Sequence, residues 1–169
     1  MAVDLTLAKQ HLRVDHDDEN SLITAYLNAA IDWVEGQTGK LLTRREVTQT
    51  EPGFLSYFRL HYGPAPATVS VEYTNSDNLA ATVDDAMLSD GRLYPPFGEA
   101  WPAAARNTEV VLTYTAGYET TPDALNAAVL LLVGHWYKNR EAVTLNTTNP
   151  AELPLAVEAL CKDYRPVMV

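Results

Sequence analysis

Disulfide stapling is closed to this chain, because Cys161 is its one cysteine. A cystine-bridged secreted module is therefore excluded. Basic charge is also scarce. Lys and Arg number 12 against 22 Asp and Glu, a formal charge of -10. Affinity for a phosphate backbone comes from neutralising phosphates. A sequence-specific DNA reader, which needs a basic helix, is thereby disfavoured. Long apolar runs are missing too. The longest, Ala127 to Val133, falls far short of the roughly 20 residues that span a bilayer. The opening MAVDLTLAKQ has no basic region ahead of an apolar run, so it does not read as a signal peptide. The expectation is a soluble protein made in a cytoplasm. What remains is ordinary: 169 residues, 47% hydrophobic and 20% charged. Such a chain buries a core without metals or bridges, as one domain or as a helical domain carrying a small β insertion.

Both ends read as helical. Thr6 is placed to cap a short helix over Leu7 to Leu12. From Glu19 to about Thr38, Leu22, Ile23, Tyr26, Leu27, Ala30 and Val34 recur at three- and four-residue spacing. Asp17 or Asp18 is the natural N-cap, and Gly39 the natural stop. Thr121-Pro122-Asp123 opens a second long helix, with Thr as cap and Pro at the first helical position. It should run to about Glu141. Leu125, Val129, Leu132 and Trp136 make its stripe, and Ala128, Leu130, Leu131 and Val133 widen it. A helix apolar around much of its circumference needs cover on several sides, part of it expected from a neighbouring subunit. Val143 to Pro150 reads as a polar loop. Leu153, Val157, Leu160, Cys161 and Tyr164 mark a last amphipathic helix.

Between the helical ends the pattern changes. Arg44 to Thr50, Phe54 to Tyr62, Thr68 to Thr74 and Glu109 to Thr115 read as strands. Asn75-Ser76-Asp77-Asn78 and Ser89-Asp90-Gly91 are turn chemistry. Tyr94 to Trp101 reads as an aromatic loop with little regular structure. The expected fold class is thus α+β, mainly α-helical: a helical bundle built from both chain ends, with a small inserted antiparallel β segment. The expected division is N-terminal helices over 1–42, the β segment over 43–118, and C-terminal helices and tail over 119–169.

Catalytic and metal signatures are thin. Asp15-His16-Asp17-Asp18-Glu19 imitates the start of a calcium loop. The sixth position is Asn20 instead of Gly, and the twelfth is Tyr26 instead of Glu. Those acids suit a helix start. His11, His16, His61 and His135 contain no i, i+4 zinc pair. His135 reads as a packing residue and Cys161 as a small buried hydrophobe. Thr115-Ala116-Gly117-Tyr118 has one Gly and no Lys, which is a strand-to-helix turn and not a phosphate loop.

Several segments in order do resemble a known family. LTLAKQHLRVDHDDENSLITAYLNAAIDWVEGQTGK is similar to the start of the head–tail connector (adaptor) proteins of long-tailed bacteriophages and prophages. YTAGYETTPDALNAAVLLLVGHWYKNREAV resembles their strand end and following helix, and Tyr164-Arg165 their usual close. The likeness covers Leu5 to Val34 and Thr113 to Arg165, and matches the β segment only in outline. It implies a non-enzymatic structural protein of the virion head–tail junction, present in the host cytoplasm during assembly. It implies a ring, about twelve-fold, docked under the portal protein. DNA would pass through its channel unread, and a neck, stopper or tail-completion protein would dock below. No membrane partner and no cofactor are implied. Cyclic closure requires different patches on the two sides of each subunit. Portal binding maps onto Lys162, Asp163, Tyr164, Arg165, Pro166, Val167, Met168 and Val169. The subunit interface is expected at Leu130, Leu131, Trp136, Arg140 and Glu141. Val143 to Pro150 and Tyr94 to Trp101 are further contact loops. The rival readings are a stopper or tail-completion protein of the neck, and a small metal-dependent enzyme centred on Asp15 to Glu19 and His135.

Overall fold

The computed structural model describes residues 3–64, 68–139 and 155–165. The chain divides into two compact units. One joins Met1–Thr43 to Tyr118–Val169; the other is Arg44–Gly117. Among the described residues there are four helices and seven strands, the strands in two antiparallel sheets. The expectation of a mainly helical bundle with a small β insert is therefore wrong. The β-rich stretch holds more strands than its sequence pattern showed. Short strands of two to four residues are too brief to display a period of two.

In the helical unit, α1 is Leu5–Leu12, α2 Asn20–Thr38, α3 Asp123–Lys138 and α4 Leu155–Lys162. Asp4, not Thr6, caps α1, its carboxylate accepting from the Leu7 N–H at 2.8 Å. The helix ends with Arg13 in the left-handed region, φ 59°. There the Val14 N–H reaches the Lys9 carbonyl and the Arg13 N–H reaches that of Gln10. This pairing satisfies carbonyls the helix end would otherwise leave open. Helix α2 stops where expected, at Gly39 with φ 61°. Its buried face is Ile23, Leu27, Ala30 and Val34, joined by Glu35 and Thr38.

Helix α3 is the centre of this unit. It packs against α1, α2 and α4. Leu125, Ala128, Val129, Leu132 and Val133 are fully buried. Each large side chain among them contributes about 1.5–3 kcal/mol by leaving water. Leu130 and Trp136 are partly buried on the same core. The apolar circumference expected to need a neighbouring subunit is thus covered mostly by its own chain. Leu131, 36% exposed, is what remains open. No helix among the described residues is long and apolar enough to cross a membrane.

A buried polar knot joins the two stretches of chain that make up this unit. Glu35 is only 4% exposed, and its carboxylate accepts the Leu42 N–H at 2.8 Å. The Thr121 hydroxyl donates to the Leu42 carbonyl at 2.8 Å. The Tyr118 N–H donates to the Leu41 carbonyl. Thr121 is therefore not the cap of α3. Pro122 occupies that position with no side-chain cap bond, and the threonine hydroxyl serves the knot instead.

In the β unit, β1 is Arg45–Glu51, β2 Phe58–Arg59, β3 Val69–Thr74, β4 Ala80–Val83, β5 Met87–Ser89, β6 Arg92–Tyr94 and β7 Val110–Ala116. One sheet has the order β1-β7-β3-β4 and the other β2-β6-β5. Strand β7 alternates cleanly, burying Val110, Leu112, Tyr114 and Ala116. Phe54 to Tyr62 is not one strand: only Phe58–Arg59 pairs, and Phe54 stacks on Trp101 at 5.1 Å between centroids. Asp90 and Gly91 have φ 50° and 69°, which makes the two-residue β5–β6 turn of the type that matches strand twist. Gln49, buried in β1, donates to the Arg59 carbonyl at 3.0 Å and accepts the His61 N–H at 3.1 Å. It fastens the segment after β2 alongside β1.

Replacing Glu35 with Ala leaves the buried Leu42 N–H without its acceptor, at a cost of about 1–3 kcal/mol. Glu35→Gln keeps an acceptor oxygen and should lose less. Urea unfolding should show a lower midpoint for Ala than for Gln, with an unchanged slope. Equal midpoints for the two variants would refute the assignment.

Candidate functional site

The expected portal-binding segment begins at the end of α4. Cys161 points into the helical core, and burial pushes its thiol up. That is the reverse of what a nucleophile requires. The turn after α4 closes by bonds from the Tyr164 N–H to the Cys161 carbonyl and from the Arg165 N–H to the Lys162 carbonyl. Tyr164 is half-buried against the helical core. Arg165 donates to Gln37 Oε1 at 3.1 Å, at the end of α2. Lys162 and Asp163 are exposed. The root of the segment is therefore anchored, while Pro166, Val167, Met168 and Val169 lie outside the described residues. Of the expected subunit-interface residues, Leu130 and Trp136 lean on the core and Leu131 faces outward. Arg140, Glu141 and the loop Val143 to Pro150 lie outside the described residues.

The acidic run does local work. Helix α2 starts at Asn20, with Glu19 at the cap position and no side-chain cap bond. Neither Asp17 nor Asp18 caps it. Asp17 Oδ1 accepts from Lys9 Nζ at 2.7 Å and from Asn20 Nδ2 at 3.1 Å. It thus ties α1 to the start of α2. The Lys9 hydrogen bond, then that of Asn20, holds the Asp17 carboxyl below its ordinary value. Glu19 accepts the Tyr137 hydroxyl from the end of α3. Among the described residues, no three His, Cys, Asp or Glu side chains converge as a metal site would require. His135 lies beside Asn139 in the last turn of α3.

The β unit carries a surface that sequence reasoning did not single out. Antiparallel register sets Arg59 directly opposite Arg92 and Met87 opposite Tyr94. Their buried-face neighbours are Phe58 and Leu93. Arg59, Arg92, Met87 and Tyr94 therefore share the outer face. Tyr57 joins them: its ring lies 5.7 Å from that of Tyr94, and the Arg92 guanidinium lies 5.4 Å over it. The alternation Tyr57-Phe58-Arg59-Leu60 around a later Asp-Gly turn was the available signal. In the expected aromatic contact loop, Trp101 is packed on Phe54 and Phe58, whereas Phe97 is 88% exposed.

The model of one protein family, described as head completion protein (HCP), matches residues 3–167. The chain belongs to the head completion protein family. Family membership gives it a structural role in the phage virion. The match runs through both helical ends and the β unit, so the resemblance read from the helical ends extends over nearly the whole length. Solved structures agree on the fold. A chain from the neck of an empty gene transfer agent particle, computed with C6 symmetry, has a TM-score of 0.78 and 22% identity, covering 99% of this chain and 91% of that one. A chain from the virion of a native gene transfer agent particle gives 0.76 and 24%, covering 99% and 91%. One from the neck of a native particle computed with C12 symmetry gives 0.74 and 24%, covering 100% and 94%. No curated protein sequence matches this chain.

A carboxylate with a depressed value stabilises the fold above its ordinary pKa of about 3.9. That contribution disappears as pH falls through the lowered value. Asp17→Asn should therefore melt slightly below the parent at pH 7, with the gap closing at the acid end. The Asp17 carboxylate is exposed, so added salt should shrink the gap. A difference that persists at pH 2 would show that the charge is not its origin.

Proposed function

We propose that this head completion protein forms a ring beneath the portal, lengthens the DNA channel, and presents the platform for the next neck or tail protein. Family membership over residues 3–167 carries this reading. The cyclic symmetry of the necks that contain its structural neighbours supports it. So does the charge of -10: a negative conduit repels phosphates, so DNA slides without sticking. In this reading the chain acts by assembly and not by catalysis. The helical ends, about 1–42 and 119–169, form the body, and 43–118 forms the inserted β unit. Lys162 to Val169 engages the portal, leaving the body at the turn fastened by Tyr164 and Arg165. Leu131, with Leu130, Trp136, Arg140 and Glu141, faces a neighbouring subunit. Phe97, bracketed by Pro95-Pro96 and Gly98, is a projecting apolar contact for a partner.

Purified chain mixed with its portal and imaged should show a ring on the portal. Because Tyr164 and Arg165 also serve the fold, the informative truncation removes only Pro166–Val169. That variant should melt like the parent yet lose portal docking. Docking at parental affinity would take the assignment away from these four residues. Capture of a tail tube instead of a portal would favour the stopper or tail-completion reading.

A further inference from the structure

We propose that the outer face of the β2-β6-β5 sheet, built on Tyr57, Arg59, Met87, Arg92 and Tyr94, docks on a carboxylate-bearing surface of a second copy of this chain. The proposal rests on the ring reading above and names the contact that holds neighbours together.

The first ground is an arrangement that folding does not need. Arg59 and Arg92 stand directly opposite each other across two strands. Like charges in that position repel and destabilise a strand pair. No carboxylate among the described residues lies within ion-pair distance of either guanidinium. Arg92 has only the Tyr57 ring. In a chain with 22 acids to 12 bases, two adjacent arginines without an acid are costly for the protomer alone.

The second ground is composition. Arg, Tyr and Met are enriched in the cores of protein interfaces, where Lys, Asp and Glu are depleted. Between residues 44 and 117 there are five Arg and no Lys. A guanidinium offers a planar fork that meets a carboxylate with two parallel bonds. Tyr57 and Met87 are both exposed beside it, at 42% and 40%.

Charge then selects the occupant. Two arginines neutralise too few phosphates to hold DNA against a chain of net charge -10. Another copy of the chain is itself acidic and is always at hand in a ring. Cyclic closure demands that the two contacting patches differ. A basic aromatic face on an otherwise acidic molecule meets that demand, since it cannot pair with itself.

The test uses necks assembled with the full chain, carrying a photo-crosslinking amino acid in place of Tyr57. A general amine crosslinker serves as the control for neighbouring copies. Irradiation should join copies of this chain, with the attachment in a peptide bearing Asp or Glu. The yield should fall about tenfold when Arg59→Glu and Arg92→Glu are combined. Arg59→Lys with Arg92→Lys, which keeps charge but loses the fork, should fall between, and the melting curves of both variants should match the parent. Should the amine reagent link copies while position 57 links none, the inference fails and the ring stands. If neither links copies, the ring reading fails with it. Attachment from position 57 to DNA or to a different neck protein also overturns the inference, as does an undiminished yield in the glutamate variant.

Discussion

The helical unit depends on a polar closure at the point where its two stretches of chain meet. The backbone leaves this unit after Thr43 and returns at Tyr118. Two segments far apart in sequence must then be held side by side. Apolar packing alone does not set their register, because it is non-directional. Hydrogen bonds do. Glu35 takes the Leu42 N–H, Thr121 takes its carbonyl, and Tyr118 takes the carbonyl of Leu41. Both backbone groups of a 2%-exposed leucine are thereby satisfied. Leaving either one open would cost more than the bond contributes when made. That asymmetry is what fixes the entry of α3 into the core.

The β unit solves the same problem in a related way. Gln49 and Tyr114 are buried polar side chains on adjacent strands, in β1 and β7. Gln49 engages Arg59 and His61, and the Tyr114 hydroxyl accepts the Tyr62 N–H at 3.3 Å. Together they hold a segment that has only two residues of true strand, β2. Burial pushes the Tyr114 hydroxyl up, and its proton is directed to Gln49 Oε1 at 3.5 Å. Each unit thus uses a few directional bonds to hold chain whose local propensity is weak.

That division explains what could be read from the residues. Helices α2 and α3 and strand β7 were legible because each is long enough to show its period. Gly39 and the Asp90-Gly91 turn were legible because positive φ demands particular residues. The caps were not. Thr6, Asp17, Asp18 and Thr121 are good capping residues by type, yet Asp4 caps α1, Asp17 binds Lys9, and Thr121 binds Leu42. Long-range partners outbid local ones, and nothing local records them. Strands β4, β5 and β6 escaped for lack of length, which made the fold look more helical than it is. The apolar breadth of α3 was seen correctly, and most of its cover comes from the same chain. A wide stripe reports how much must be covered, not which chain covers it. Of the residues proposed to dock, Lys162 to Arg165 and Leu130 to Trp136 could be placed on or beside elements from sequence. The Arg59–Arg92 pair could not, because it exists only once β2 and β6 are in register.

Net charge then bears on how such a molecule can assemble at all. Copies carrying -10 each repel one another. At physiological salt the repulsion is screened beyond about 8 Å, so it acts chiefly where surfaces nearly touch. Association needs local complementarity strong enough to overcome it there. With α3 covered mainly by its own chain, a large exposed helix face cannot supply that term. Among the described residues the remaining sources are scattered apolar projections such as Phe97 and Leu131, and the few bases that are not already committed within the protomer. A contact of this kind is weak between free copies and gains strength when a symmetric partner lines the copies up, because the second contact is then intramolecular in effect. In the proposed ring, acidity therefore does two things at once: it keeps the channel wall from holding DNA, and it makes closure depend on a template that lines the copies up.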